Sequence, residues 1–349
     1  MTAAGRVALQ RRSLRCGGCG LTAYPLDDRI GLDGFLSPQA TRLACLGAAS
    51  WSFDVASDRL EELVGVRIDD ETIRRHCHRA AEKLVERRDA APPKERFAAA
   101  EGEVEFLSDG VMAPTRDGWR ELKMALYLKR LLGEPAGPGN WADRDLPRPT
   151  ISTAYAAVAD SESFSALWGP RAKALGIDSS GSLTVLGDGA EWIWKSAAAQ
   201  FPAAAQVLDI FHASGHIASA AKALHGEGTT AATEWTDGGR QALLADGWNG
   251  LLDHVGATPA EARTAVGQAG IDGLIAYFAK HTDRLGYYGR LRSGRSIGSG
   301  GVESLARQMG RRLKVPGRGW CLEHLEGMAA LIATVDTAEW QDLWSRRHP

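Results

Sequence analysis

At Glu103 the hydrophobic period of this chain changes. Upstream, from Ser37 to Arg88, apolar residues recur at helical spacing. Downstream, EVEFLSDGV (103–111) and WRELKMALYLK (119–129) alternate with a period of two, Glu121 and Lys123 set against Leu122 and Met124. Alternation of this kind puts successive side chains on opposite faces, so a sheet begins here. A Gly/Pro-rich loop, GEPAGPGNWADRDLPRP (133–149), leads to a third strand, TISTAYAAVA. A helix (SESFSALWGPRAKALG), a buried-type strand (SLTVLGDGA), a helix (EWIWKSAAAQFP) and a strand (AAQVLDIFHA) follow. Three strands in a hairpin-like run, then alternating helix and strand, predict an α/β fold: a mixed sheet with helices on its faces.

The remaining segments arrange themselves around that sheet. Residues 1–36 are basic and Gly-rich. Residues 37–90 read as helical: Ser37-Pro38 is a capped start, Gly65 stops a second helix, and Asp69 or Asp70 caps ETIRRHCHRAAEKLVERR. A short helix, a Gly turn and a longer basic helix fit a helix-turn-helix. Such a helix would offer Thr72, Arg74, Arg75, His76, His78 and Arg79 to base edges. A plain three-helix bundle with a solvated basic face fits the same residues. DAAPPKERF (89–97) reads as a linker. The sheet domain begins near residue 100 and runs to 213, an Ala- and Gly-rich all-helical insertion spans 214–284, and 285–349 returns to the core.

With 41 Lys and Arg against 43 Asp and Glu, the chain is nearly neutral, but the charge is uneven. Nine bases and one acid, Glu303, lie between Arg284 and Arg318; four Arg and no acid precede Asp27. Patches, not averages, bind phosphates; a charge run also fits a solvated face. No apolar run approaches the roughly 18 residues of a membrane span, and MTAAGRVALQRRSLRC has no apolar segment, which predicts a cytoplasmic protein. Five cysteines, an odd number in a chain this long, do not suggest a disulfide framework. Cys16 and Cys19 in CGGCG, after a strand-like RVALQRRSLRC, read as one knuckle of a zinc ribbon, which needs four ligands. Cys45 and Cys77 lie in helical patterns and Cys321 is remote, so the zinc site is incomplete.

Two aspartates end apolar strands and precede glycine: Asp109 in FLSDG and Asp188 in VLGDG. Asp-Gly is also a turn signal, but Asp188-Gly189 leads into a helix. Glu303 heads a helix whose other charges, Arg307, Arg311, Arg312 and Lys314, are positive, with Arg318 just beyond. Helix punctuation alone explains that order. So does a metal-binding carboxylate beside a polyanion. Acids drawn from distant parts of a fold suit two divalent ions at a phosphodiester, since Mg²⁺ takes hard oxygen ligands and keeps waters.

This order, with YPLDDRIGL, DGVMAP…WRELK, LGDGAEWIW, LDIFHASGHI and GSGGVESLARQMGRRLKVPGRGW, resembles the DDE transposases of bacterial ISKra-type insertion sequences. The resemblance runs from about Cys16 to the end of the chain. It implies an RNase H-like core, a helix-turn-helix region, and metal-dependent DNA strand cleavage and strand transfer. Asp109, Asp188 and Glu303 would be catalytic ligands of two Mg²⁺ or Mn²⁺ ions. Asp209 and His212 match the family's DxxH element and would support the site. Arg74, Arg75, Arg79, Arg307, Arg311, Arg312, Lys314 and Arg318 would contact DNA. The implied partners are terminal inverted repeats and target DNA, with a homodimer or higher oligomer on them and no membrane. The family carries a fuller zinc-binding region, which predicts an N-terminally shortened member here. A structure-selective nuclease on the same core, and a non-catalytic DNA-binding descendant of a transposase, are the competing readings. Trp192 and Trp194 fit either core packing or stacking on an unpaired base.

Overall fold

A computed structural model describes residues 1–32, 34–86, 94–177, 183–315, 317 and 319–345. In chain order its elements are β1 (Leu14–Arg15), β2 (Thr22–Ala23), α1 (Pro25–Ile30), α2 (Pro38–Ser50), α3 (Phe53–Val64), α4 (Asp70–Glu86) and α5 (Lys94–Ala99). Then come β3 (Glu103–Thr115), β4 (Gly118–Arg130), β5 (Ile151–Ala157), α6 (Ser161–Ser165), α7 (Trp168–Ala174), β6 (Leu183–Gly187), α8 (Glu191–Gln200) and β7 (Ala205–Leu208). Last are α9 (Ile210–His225), α10 (Thr230–Gly256), α11 (Ala265–Phe278), α12 (Tyr287–Arg292), α13 (Gly300–Leu313), α14 (Leu322–Val335) and α15 (Ala338–Ser345).

The five-stranded sheet has the order β5-β4-β3-β6-β7, and β4 alone runs against the others. Helices cover both faces. Alternation in β3 assigns them: Phe106, paired with Tyr127, packs on Trp168 of α7 and Phe201. Leu107, paired with Leu126, faces α13. Gly301 of α13 permits that contact, because a Cβ there would stand 3.0 Å from Leu126 Cδ2. Among the described residues no helix is long and apolar enough to cross a membrane.

Several boundaries differ from the sequence reading. The expected N-terminal strand shrinks to β1, two exposed residues paired with β2. The expected helix over 161–176 breaks into α6 and α7. Residues 89–93 of the expected linker lie outside the described residues; Lys94 to Phe97 instead belong to α5, with Phe97 buried. Gly65 ends α3 as expected, in the left-handed conformation at φ 65° that favours glycine. The region from Ser214 to Arg284 is helical and contains no strand among the described residues.

The helices of 37–90 do not stand apart from the sheet. α4 packs on α2 and α3 on one side and on α14 on the other. His78 of α4 stacks on His324 of α14 with ring centroids 3.7 Å apart. The polar stripe of α4 is therefore partly interior: Thr72, His76 and His78 are buried, and base contact by those three is corrected accordingly.

Candidate functional site

Asp109 does not end a strand. It lies in the middle of β3, paired with Met124 of β4. What ends there is the neighbour: β6 pairs with β3 in parallel only as far as Leu107↔Leu186. The same register, carried on two residues, sets Asp109 beside Asp188, which directly follows β6. Parallel neighbours lie about 4.8 Å apart, so the two carboxylates leave adjacent strands at one level. Asp188 Oδ1 accepts the Ala190 N–H at 2.9 Å.

Glu303 comes to the same rim from the other half of the chain. Asp109 and Glu303 line one open groove of about 670 Å³ with Phe211, His212, His216 and Arg307. Burial raises the Asp109 carboxyl to about 6, and the charges of Asp188 and Glu303 push the same way; the Gly110 N–H, bonded to Oδ1 at 2.7 Å, and His212 act against them. Among the described residues no salt bridge neutralises Asp109, Asp188 or Glu303.

The helical insertion supplies a wall that sequence reasoning missed. The Tyr277 ring of α11 stacks on His216 of α9 at 3.6 Å. Burial and the nearby charge of Asp188 raise the Tyr277 hydroxyl. A Cβ on Gly189 would come within 2.5 Å of Tyr277, so the glycine after Asp188 keeps room for this ring. Gly189→Ala is expected to cost about 1–3 kcal/mol by overpacking, read as a lower midpoint in urea unfolding. His216 had a sequence signal, since His212 and His216 are i,i+4 on one helix face. Tyr277 had none.

Asp209 and His212 separate in role. Asp209 follows β7 and caps α9, accepting the His212 N–H at 2.7 Å. Its side chain is fully buried, so any support it gives the site is given from beneath the surface and not by contact with a substrate. His212 stands in the first turn of α9, exposed and on the groove. Trp194 is buried against His281 and Arg284, and Trp192 packs on Phe164 and Trp168, so both indoles serve the core.

The basic run also divides. Arg295 bonds Glu103, Arg290 bonds Thr184 Oγ1 and the Ser296 carbonyl, and Arg284 bonds Gln206. Arg312 is the clearest correction: it is buried, its Nε donates to the Ala48 carbonyl, and its guanidinium lies over Phe53 and Trp320. It joins α13 to the N-terminal helices and does not reach a phosphate. Arg307 is exposed on the acid groove. Arg311 is exposed too, but it lines a separate cavity with Trp51 and Gln308, because i+8 has turned away from Glu303. Lys314 is exposed; Arg318 lies outside the described residues. On α4, Arg74 is paired with Glu71 at 2.6 and 2.7 Å, Arg75 is more open, and Arg79 lies 3.3 Å from His76 Nε2.

No protein-family model and no curated protein matches this chain.

The donor chemistry of the groove suits a hard cation. Three carboxylates without a counter-charge repel one another, and oxygen ligands fit Mg²⁺ or Mn²⁺. Among the described residues no group of three or more His, Cys, Asp or Glu is placed to hold a metal ion. The arrangement is an open rim, not a closed cage. At the N-terminus, Cys16 and Cys19 are exposed in the β1–β2 hairpin, where Cys16 N–H bonds the Leu21 carbonyl at 2.8 Å. Cys45 of α2 and Cys77 of α4 are buried, unlike the hairpin pair.

Proposed function

We propose that this protein is a DDE transposase similar to those of ISKra-type insertion sequences, cleaving and joining DNA strands at Asp109, Asp188 and Glu303. One observation carries the reading: Asp109 and Glu303, from opposite halves of the chain, line one groove, and Asp188 directly follows the parallel strand beside Asp109. The sheet supports it. A five-stranded order in which the first strand is central and only the second runs antiparallel is the arrangement expected of an RNase H-like core.

Asp109, Asp188 and Glu303 would hold two divalent ions, with water completing each shell. Bound there, such ions supply the charge that activates a water or 3′-OH and stabilises the leaving oxygen of a phosphodiester. The chain's own groups do the rest. Arg307 neutralises phosphate charge one helical turn beyond Glu303. His212 stands at the groove mouth, within reach of a bound strand. Tyr277 and His216 close the flank beside Asp188 and limit water there. Duplex DNA follows the exposed bases Arg307, Arg311 and Lys314, with Arg75 on α4 as an outlying contact. Transposition ends come in pairs, so a homodimer on DNA is the working assembly. The α3–α4 pair then acts as a helix-turn-helix docked on the core, not on a free arm.

The test is strand cleavage of a duplex carrying the terminal repeats that flank the gene, with Mg²⁺. Wild type is expected to nick at the repeat end and join the 3′-OH to target DNA; Asp188→Asn is expected to lose about 10²–10³-fold in rate, on the scale of removing one group that stabilises charge in the transition state. Cleavage without joining would make the protein a nuclease. DNA binding with no cleavage would make it a binder.

A further inference from the structure

We propose that Asp209 is a positioning residue that holds Glu303 in place through the hydroxyl of Ser299. The proposal rests on the reading of Glu303 as an ion ligand. Asp209 has no exposed surface, yet its two oxygens serve two helix starts. Oδ1 accepts the His212 N–H of α9 at 2.7 Å. Oδ2 accepts the Ser299 N–H and lies 2.8 Å from Ser299 Oγ. The same Oγ lies 3.1 Å from Glu303 Oε1.

The chemistry of that chain is constrained. A serine hydroxyl has one proton and gives it to one carboxylate at a time. The hydroxyl lies between the two acids, 2.8 Å from Asp209 and 3.1 Å from Glu303; because Asp209 Oδ2 also holds the Ser299 N–H, the hydroxyl proton can serve Glu303 without leaving Asp209 bare. Ser299 is the N-cap of α13, but its side chain caps no N–H of that helix. A serine at an N-cap ordinarily accepts such a bond; here the hydroxyl is turned to the two carboxylates instead. The backbone beneath is fixed: Ile210 N–H bonds the Ile297 carbonyl at 3.1 Å, and a Cβ on Gly298 would press within 3.0 Å of Phe211. Asp209 thus ties the start of α13 to the start of α9, and Ser299 sets the carboxylate that α13 carries. When Glu303 turns to an ion, the hydroxyl proton turns to Asp209. Glu303 would then have the ion and Asp209 the hydroxyl proton, so neither charge is left uncompensated, which matters for a buried charge.

Mn²⁺ affinity without DNA, measured from the electron paramagnetic resonance of the free ion, tests this on the full chain. Wild type is expected to bind, and Asp109→Asn to lose binding. Ser299→Ala keeps the backbone N–H to Asp209 and removes no cap, so its thermal midpoint should stay near wild type. Its Mn²⁺ affinity should fall about tenfold, the scale of losing a partner behind a ligand, and Ser299→Thr should restore it. Asp209→Asn, with one acceptor where two are needed, should weaken Mn²⁺ binding at least as much. Ser299→Ala binding Mn²⁺ as tightly as wild type would overturn the proposal while leaving the ion site intact. Wild type that binds no Mn²⁺ would overturn both.

Discussion

Asp109→Asn is expected to make the ion-free protein more stable at pH 7.5 while abolishing DNA cleavage. Burial and two neighbouring acids raise the Asp109 carboxyl to about 6. An acid whose folded value lies above its unfolded value of about 3.9 binds more protons folded than unfolded across that window. Stability therefore falls as pH rises from about 4 to about 6 and stays lower above it. The full shift corresponds to about 3 kcal/mol; the carboxyl keeps some solvent contact, so about 1–2 kcal/mol is the realistic gain for a neutral side chain. At a few degrees per kcal/mol for a chain of this size, the thermal midpoint of Asp109→Asn should rise by several degrees at pH 7.5 and by almost nothing at pH 4. Mg²⁺ should raise the wild-type midpoint and leave the variant's unchanged. A variant no more stable than wild type at pH 7.5 would count against a strained, uncompensated carboxylate cluster.

Arg312→Ala is expected to unfold the protein easily, by about 2–4 kcal/mol. The change empties a buried site between Phe53 and Trp320 and leaves the Ala48 carbonyl without its donor. The salt dependence of DNA binding by the folded fraction should not change. Arg307→Ala should behave in the opposite way, with near-normal stability and a slope shallower by about one ion per lost phosphate contact. Urea unfolding and binding titrations at several salt concentrations separate the two. A shallower slope for Arg312→Ala would return that residue to the proposed DNA surface.

The two arginines show how far the chain could be read without coordinates. Both sit in one basic run, and charge pattern treats them alike. Helical rotation separates them: Arg307 stays on the Glu303 face and Arg312 turns under the N-terminal helices. The period change at Glu103 was legible, as were the five strands, the caps at Ser37 and Gly65, and the stop at Asp188-Gly189, because each depends on residues within a few positions of one another. Asp109 was legible as special but misplaced as a strand end. What stops beside it is β6, a strand more than seventy positions later.

Local order was thus set by the amino acids in place: where helices begin, where alternation starts, which carboxylates precede glycine. Tertiary structure alone decided which charges meet. It brought Glu303 to the rim of β3, laid Tyr277 over Gly189, buried Asp209 beneath Ser299 and withdrew Arg312 from the surface. The physical reason is range. Backbone conformation answers to neighbours in sequence, whereas burial and the pairing of charges answer to neighbours in space, which the packing of α13 on the sheet and of α11 on α9 supplies.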